Sequence, residues 1–267
     1  MTERFSAAHR GGSGPPLVLL HGFLDTWRTW ELVLGRLEGS HDVLAPTLPG
    51  HAGGPSLPRP VTDTVLADAV ERALDEAGLE TAHLAGNSLG GHVALQLAAR
   101  GRARSVVVLA PAGGWERGDR SVLDTLRRQR GLLADARRSA PHAAAIASSA
   151  DGRRRATALL TEHGEDLPAE LVAHLMRGAA ACRDAEAMLD HAAGADWTLD
   201  AERITCPVRV IWGTADRLLP WPAAAARLRR EWLPNADWVE LDGVGHAPQL
   251  DVPLVTGQLI LGVTADR

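Results

Sequence analysis

The feature that most constrains how this chain can fold is a five-residue turn with a serine at its centre, Gly86-Asn87-Ser88-Leu89-Gly90. Residues 82–85, which precede it, have the apolar character of a buried strand, and residues 89–100 have the apolar spacing of a helix. A strand that passes directly into a helix needs a sharp turn, and glycines two positions either side of Ser88 remove Cβ atoms that would clash there. We therefore expect a strained serine whose hydroxyl lies at a helix N-terminus.

Three further strand-like runs, at residues 17–20, 208–212 and 238–241, end in loops of the same kind. The loops are His21-Gly22-Phe23, Gly213-Thr214-Ala215-Asp216 and Gly243-Val244-Gly245-His246. The carboxyl ends of parallel strands meet at one edge of a sheet, and sites form there. The sequence therefore predicts that side chains from all four loops lie close together.

A serine, then an aspartate, then a histidine, each just past a strand, is the chain order of the triad in α/β-hydrolases. On these motifs the chain resembles that superfamily from about Leu17 to about Leu261. The resemblance implies an α/β fold with a mostly parallel, doubly wound sheet and a helical cap insertion. It also implies an enzyme in which Ser88 is the nucleophile, His246 the base that takes its proton, and Asp216 the group that orients His246.

The same resemblance assigns the oxyanion hole to two backbone N–H groups, those of Phe23 and Leu89. His21 then corresponds to the structural histidine that braces the oxyanion loop, without a catalytic role. His51 is expected to brace its own loop, and His92 to pack beneath the serine turn.

After Gly114 the sequence pattern changes, because residues 115–196 have helical periodicity and no strand-like run. Helices are expected over residues 121–134, 141–150, 152–163, 168–181 and 184–192. We interpret 115–196 as a cap over the site and residues 1–114 with 197–267 as the core; the alternative is that these helices extend the outer layer. The candidates to line a substrate pocket, each of which could instead pack within the cap, are Trp115, Leu123, Leu126, Leu133 and Met188.

Composition excludes several other functions. The chain has 267 residues, enough for one α/β domain with an insertion, and a net charge of −5 that gives nucleic-acid binding no electrostatic basis. No run reaches the ~18 apolar residues of a membrane span, and residues 1–10 lack a signal-peptide centre, so we expect no membrane partner and a cytoplasmic location. Cys182 and Cys206 have no metal spacing, and no metal or cofactor is expected. Residues 117–155 are locally basic, which favours a solvated helix face over a site for a phosphate-bearing thioester carrier.

The sequence therefore predicts a serine hydrolase of a small, largely apolar ester or thioester, acting through an acyl-enzyme. Serine at position 88 and the absence of tyrosine speak against epoxide hydrolases, which use an aspartate there and cap tyrosines. Asn87 matches the carbon–carbon hydrolases of the meta-cleavage type, but these usually carry tryptophan where Ala247 follows His246. Two alternatives stay open: carbon–carbon hydrolysis, and a slow-turnover ligand-binding protein that keeps the triad. The sequence does not determine the oligomeric state.

Overall fold

The computed structural model describes residues 4–115 and 119–265, and these residues form one seven-stranded sheet. The strands are β1 (Ala8–Gly12), β2 (Pro16–Leu20), β3 (Asp42–Pro46), β4 (Ala82–Asn87), β5 (Ala103–Leu109), β6 (Val208–Gly213) and β7 (Asp237–Leu241). Their order across the sheet is β1-β3-β2-β4-β5-β6-β7, and every neighbouring pair is parallel except β1 with β3. The predicted fold class, an α/β fold with a mostly parallel sheet, is confirmed.

Helices cover both faces of this sheet. The α-helices in the described residues are α1 (Glu31–Leu37), α2 (Val65–Glu76), α3 (Leu89–Ala99), α4 (Ser121–Ser139), α5 (Ala143–Ala147), α6 (Ala150–Thr157), α7 (Ala169–Ala180), α8 (Ala185–Gly194), α9 (Pro248–Asp251) and α10 (Pro253–Thr264). Alternate residues of β2 belong to different clusters: Val18 and Leu20 pack with α2 and α3, whereas Leu17 and Leu19 pack with α1 and α10. Burial on both faces explains why the strands are continuous apolar runs.

The strands lie within about three residues of their expected positions, whereas several helices differ more. The helix expected over 121–134 continues to Ser139, and the helix expected over 152–163 is α6, which ends at Thr157. Thr62, a residue type favoured at helix N-caps, predicts a helix that begins there, but α2 begins only at Val65 because residues 62–65 form a turn in which the Val65 N–H donates to the Thr62 carbonyl. The sequence also predicts a helix from about Trp221. The structure is helical there from residue 223 to residue 232, beginning as a 3-10 turn at Ala223–Ala225 and ending as a π-helical turn at Leu228–Trp232.

Between β5 and β6 the described residues contain α4 to α8 and no strand. We call α4 to α8, with their connections, the inserted helices. One part of them packs on the apolar cluster that contains Val18 and Leu20, which we call the core cluster. The residues that make this contact are Leu133, Cys182, Ala185 and Met188. Among residues 4–115 and 119–265, none of the helices has both the length and the apolar character that crossing a membrane requires.

Candidate functional site

Ser88 lies between β4 and α3 in a backbone conformation that non-glycine residues rarely adopt, with φ +54° and ψ −116°. The residues two positions before and after Ser88 must be glycines. A Cβ at Gly86 would collide with the Gly90 carbonyl, and a Cβ at Gly90 would collide with the Leu20 carbonyl of β2. The close approach of these backbones fixes the turn, so the serine is held at the carboxyl edge of the sheet with only 4% of its surface exposed.

Asp216 and His246, predicted to act with Ser88, form a buried pair at the same edge. The Nδ1 atom of His246 is 2.7 Å from Oδ2 of Asp216, and the two side chains are 2% and 0% exposed. The other Asp216 oxygen accepts from the N–H groups of Leu218 and Leu219, at 2.8 and 2.7 Å. One carboxylate oxygen thus holds its own turn, and the other holds the imidazole in one orientation.

The second imidazole nitrogen of His246, Nε2, has no hydrogen-bond partner among the described residues. His246 and Ser88 line one cavity, so the structure brings all three predicted residues together. A hydroxyl at a helix N-terminus beside an oriented imidazole can lose its proton to that imidazole and attack a carbonyl carbon. Among the described residues, no group of three or more His, Cys, Asp or Glu side chains could hold a metal ion.

Asn87, directly before the serine, connects the serine turn to the histidine loop. Its Nδ2 group donates to the carbonyls of Leu109 and His246, at 3.1 and 3.0 Å. Its Oδ1 atom accepts from Gln249 Nε2 at 3.2 Å. Gln249 Nε2 also donates to Thr29 Oγ1 at 3.1 Å. This buried network joins three segments of the chain, and no local pattern indicates it because its partners lie up to 220 residues apart.

The loop that carries Phe23 runs beside the serine, since a Cβ at Gly22 would lie 3.4 Å from the Ser88 Cβ. His21 braces this loop: Nε2 accepts from the Leu48 N–H at 2.8 Å, and Nδ1 lies 2.7 Å from the Gly22 carbonyl. Burial, together with the neighbouring His51 ring, holds the pKa of His21 well below the usual value, so it stays neutral. Leu89 is the first residue of α3, and its N–H therefore has no partner within the helix.

Two cavities meet at Ser88, and both are also lined by Phe23 and Gln129. The first, of about 100 Å³, lies between α2, α3 and the inserted helices, and its walls are largely apolar. Its apolar lining includes Leu66, Val93, Trp115, Leu126, Met188 and Trp197. The second, of about 190 Å³, contains His246 and Asp25 together with side chains of α4, α6 and α7.

The structure brings only some of the predicted lining residues to these cavities. Trp115, Leu126 and Met188 line the first cavity. Leu123 and Leu133 line neither cavity; Leu123 is half-buried, and Leu133 is buried in the core cluster. Leu133 is on the same face of α4 as Leu126, but two turns further on, where this face packs against other apolar side chains and not along the cavity. Leu132, which was not among the predicted lining residues, lines the second cavity instead.

Titratable groups also border the cavities. His92 lines the first cavity and packs edge-on against Trp197, and its burial lowers its pKa to about 4. Asp25 lines the second cavity, and burial raises the pKa of its carboxyl to about 7 despite hydrogen bonds from Thr26 and Thr29. At the solvent end of the first cavity, His191 Nε2 lies 2.7 Å from Asp63 Oδ1, a contact between α8 and the core.

Most arginines of the basic stretch 117–155 have partners within the chain; Arg117 lies outside the described residues. Each arginine from 127 to 155 has a carboxylate or carbonyl partner. Arg130, for example, binds Glu186 and Asp190 of α8 at 3.0 and 2.7 Å. These contacts are those of a solvated helix face.

Comparison with known proteins places this geometry in context. A family model described as the alpha/beta hydrolase family matches residues 17–256. An epoxide hydrolase, EphH of Mycobacterium tuberculosis, is 34% identical over 197 residues, which are 72% of this chain and 90% of that protein. A pimeloyl-[acyl-carrier protein] methyl ester esterase of Aromatoleum aromaticum is 32% identical over 263 residues, covering 90% of this chain and 94% of that protein.

A solved structure, the 2-hydroxy-6-oxo-6-phenylhexa-2,4-dienoate hydrolase of Rhodococcus sp. strain RHA1, superposes with a TM-score of 0.75. It is 22% identical and the match covers 96% of this chain and 92% of that one. At this level of identity the similarity concerns the fold.

Proposed function

Because this chain belongs to the alpha/beta hydrolase family, we propose that it is a serine hydrolase that cleaves a small, largely apolar ester or thioester through an acyl-enzyme. One observation carries the proposal: Ser88 at its strained turn shares a cavity with His246, which Asp216 orients at 2.7 Å. The substrate is a small molecule that reaches Ser88 within the two cavities.

In the first half-reaction His246 takes the Ser88 proton while Oγ attacks the carbonyl carbon of the substrate. Asp216 stabilises the imidazolium that forms. The backbone N–H groups of Phe23 and Leu89 donate to the oxyanion, and removing one such donor typically costs on the order of 10²–10³ in kcat. His246 then gives its proton to the leaving group, and in the second half-reaction it activates the water that releases the acid.

The two cavities suggest which side of the substrate each one binds. Because His246 must protonate the leaving group and lines only the second cavity, we assign the alcohol or thiol to that side. The acyl chain then occupies the apolar first cavity, against Leu66, Leu126 and Met188. In this proposal the inserted helices are a cap, since α4 and α8 supply walls to the acyl side and α6 and α7 to the other.

Other reactions known among relatives are less well supported by these residues. One relative is an epoxide hydrolase, but this chain has Ser88 at the turn where epoxide hydrolases of this fold are expected to use an aspartate, and it contains no tyrosine to activate an epoxide oxygen. Carbon–carbon hydrolysis is favoured by Asn87 but not by Ala247 after His246. A slow ligand-binding protein would keep the same geometry, so turnover has to separate it from an esterase.

The test combines turnover of p-nitrophenyl butyrate with labelling by a fluorophosphonate. We expect stoichiometric labelling at Ser88, and a loss of about 10³-fold or more in kcat for Ser88→Ala and for His246→Ala with unchanged circular dichroism. If Ser88→Ala kept more than a tenth of the activity, the nucleophile would be another group. Stoichiometric labelling with negligible turnover of all esters would favour the ligand-binding protein, and faster cleavage of a meta-cleavage dienoate than of any ester would favour carbon–carbon hydrolysis.

A further inference from the structure

The carboxylate of Asp251, at the end of α9, accepts hydrogen bonds from two segments of the chain that are far apart from each other in the sequence. Its Oδ2 atom accepts from the Gly245 N–H, next to His246, at 2.7 Å. The same carboxylate accepts from the N–H groups of Glu162 and His163, at 3.1 and 3.0 Å, in the connection that follows α6. Hydrogen bonds to an ionised acceptor are roughly twice as strong as neutral ones, so one side chain holds the two segments against each other.

The other side of His246 is attached to the same connection. The Ala247 N–H donates to the Leu160 carbonyl at 2.8 Å. The fit is close, because a Cβ at Gly245 would also lie 2.8 Å from that carbonyl oxygen. Ala247 and Leu250 belong to an apolar cluster formed mainly by α5 and α7. Both neighbours of the histidine are therefore held by residues 158–163 and the helices around them.

The aspartate loop contacts this connection as well. Arg217, which follows Asp216, donates to the Ala158 carbonyl at 3.2 Å and to Glu162 Oε2 at 2.7 Å. Residues 158–163 thus bind the loop of the proposed base and the loop of its orienting carboxylate, although they are about 90 residues from the first and 60 from the second in the sequence.

We propose that Asp251 is a positioning residue that couples the His246 imidazole to the docked state of the inserted helices. Its carboxylate fixes Gly245, and with it the backbone of His246, only while residues 158–163 bind its other side. The inserted helices on this side then act as part of the support of the base, and not as a freely opening lid. The inference rests on the proposed function for its kinetic consequence, but not for the structural coupling itself.

Asp251→Asn tests the proposal, because the amide replaces one acceptor oxygen with an NH₂ group that faces N–H donors. We expect kcat for p-nitrophenyl butyrate to fall about tenfold or more with KM changed less than about threefold, since a misplacement of about 1 Å in a catalytic group can cost 10²-fold. Amide hydrogen exchange should accelerate together at residues 158–163 and 243–247. The downfield Nδ1 proton of His246 in the NMR spectrum should shift or broaden.

Asp242→Asn is the matched control, since it removes the same charge directly after β7, where the amide oxygen can still accept from Thr214 Oγ1, 3.1 Å away. It should leave kcat, both exchange rates and the Nδ1 proton unchanged. If Asp251→Asn does not fold, Arg217→Gln, an exposed substitution that loosens the same connection, is measured instead with the same expectations.

Three results would overturn the coupling: kcat within twofold of the wild type, a change in KM alone, or faster exchange in only one of the two segments. Failure of the proposed function gives a different result, because His246→Ala would then keep its turnover. The exchange measurement would still decide whether Asp251 joins the histidine loop to the inserted helices.

Discussion

At the scale of single residues, the backbone of Ser88 is the strongest sign of a functional constraint. A positive φ with ψ −116° costs a non-glycine residue on the order of 1–3 kcal/mol and persists only where the surroundings impose it. Here the collisions that surround Gly86 and Gly90 impose it. The turn places Ser88 at the helix N-terminus, where negative charge is favoured, and on the wall of both cavities.

This strain predicts an unusual order of stability at position 88. Glycine normally destabilises a protein relative to alanine by roughly 0.5–1 kcal/mol, because its unfolded chain is more flexible. At Ser88 only glycine avoids the strain, so Ser88→Gly should unfold at higher urea than Ser88→Ala, with both variants inactive. Urea denaturation of the two variants measures the difference; an alanine variant that is the more stable would mean that little strain is stored there. Ala94→Gly, in α3, is the control: there glycine should be less stable than alanine, as in an ordinary helix.

At the scale of elements, α4 contributes differently along its length. Leu126 and Gln129 line the first cavity, Leu132 lines the second, and Leu133 packs in the core cluster. Helix α8 supplies Met188 to the same first cavity and His191 to its solvent end. The first cavity is therefore bounded by two of the inserted helices and by α2 and α3.

Replacing apolar side chains of α4 and α8 with alanine should separate residues that line the first cavity from residues that pack in the core cluster. Leu126→Ala and Met188→Ala enlarge the proposed acyl cavity, so kcat/KM for octanoyl relative to acetyl esters should rise, by up to the ~1–3 kcal/mol that a few methylenes supply. Leu133→Ala, the same change on the same helix face as Leu126→Ala, should lower the free energy of unfolding by about 2–4 kcal/mol and leave the ester ratio unchanged. Equal shifts in the ratio for all three variants would contradict this assignment.

At the scale of the whole molecule, buried titratable groups determine how stability depends on pH. Burial lowers the pKa of His51 and His92 to about 4 and that of His21 well below its usual value. Between pH about 6.5 and about 4 these histidines are protonated in the unfolded chain but remain unprotonated in the folded protein. The free energy of unfolding should therefore fall as the pH falls through this range.

Asp25 contributes with the opposite sign. Burial raises its pKa to about 7 from an ordinary 3.8, so the folded state retains a proton that the unfolded chain loses, and this stabilisation disappears as the pH rises from about 4 to 7. Asp25→Asn removes the cost of ionising the buried carboxyl, so the variant should gain stability relative to the wild type between pH 5 and pH 8; each pKa unit corresponds to about 1.4 kcal/mol. Urea unfolding at both pH values measures this gain, with exposed Asp242→Asn as the control. A pH-independent difference would show that the Asp25 carboxyl ionises as it does in water.

Local rules in the sequence determined the strands of the sheet and the position of the serine turn. Strands buried on both faces must be apolar throughout, and a strand-to-helix turn requires glycine where backbones approach, so both are visible in short windows. The carboxyl edge of a parallel sheet then brings Ser88, Asp216 and His246 together, because three strands end there. These features depend on residues that are neighbours along the chain.

Only the tertiary structure decided which side chains border the cavities and what supports the histidine. Leu126 and Leu133 are seven residues apart on one helix face, so periodicity cannot tell which of them leaves the cavity and enters the packed core. The contacts of Asn87 with Gln249, and of Asp251 with Glu162, join residues 162 and 89 positions apart. Such contacts depend on how the inserted helices dock on the core, and this docking follows from the packing of the whole chain and not from any local pattern.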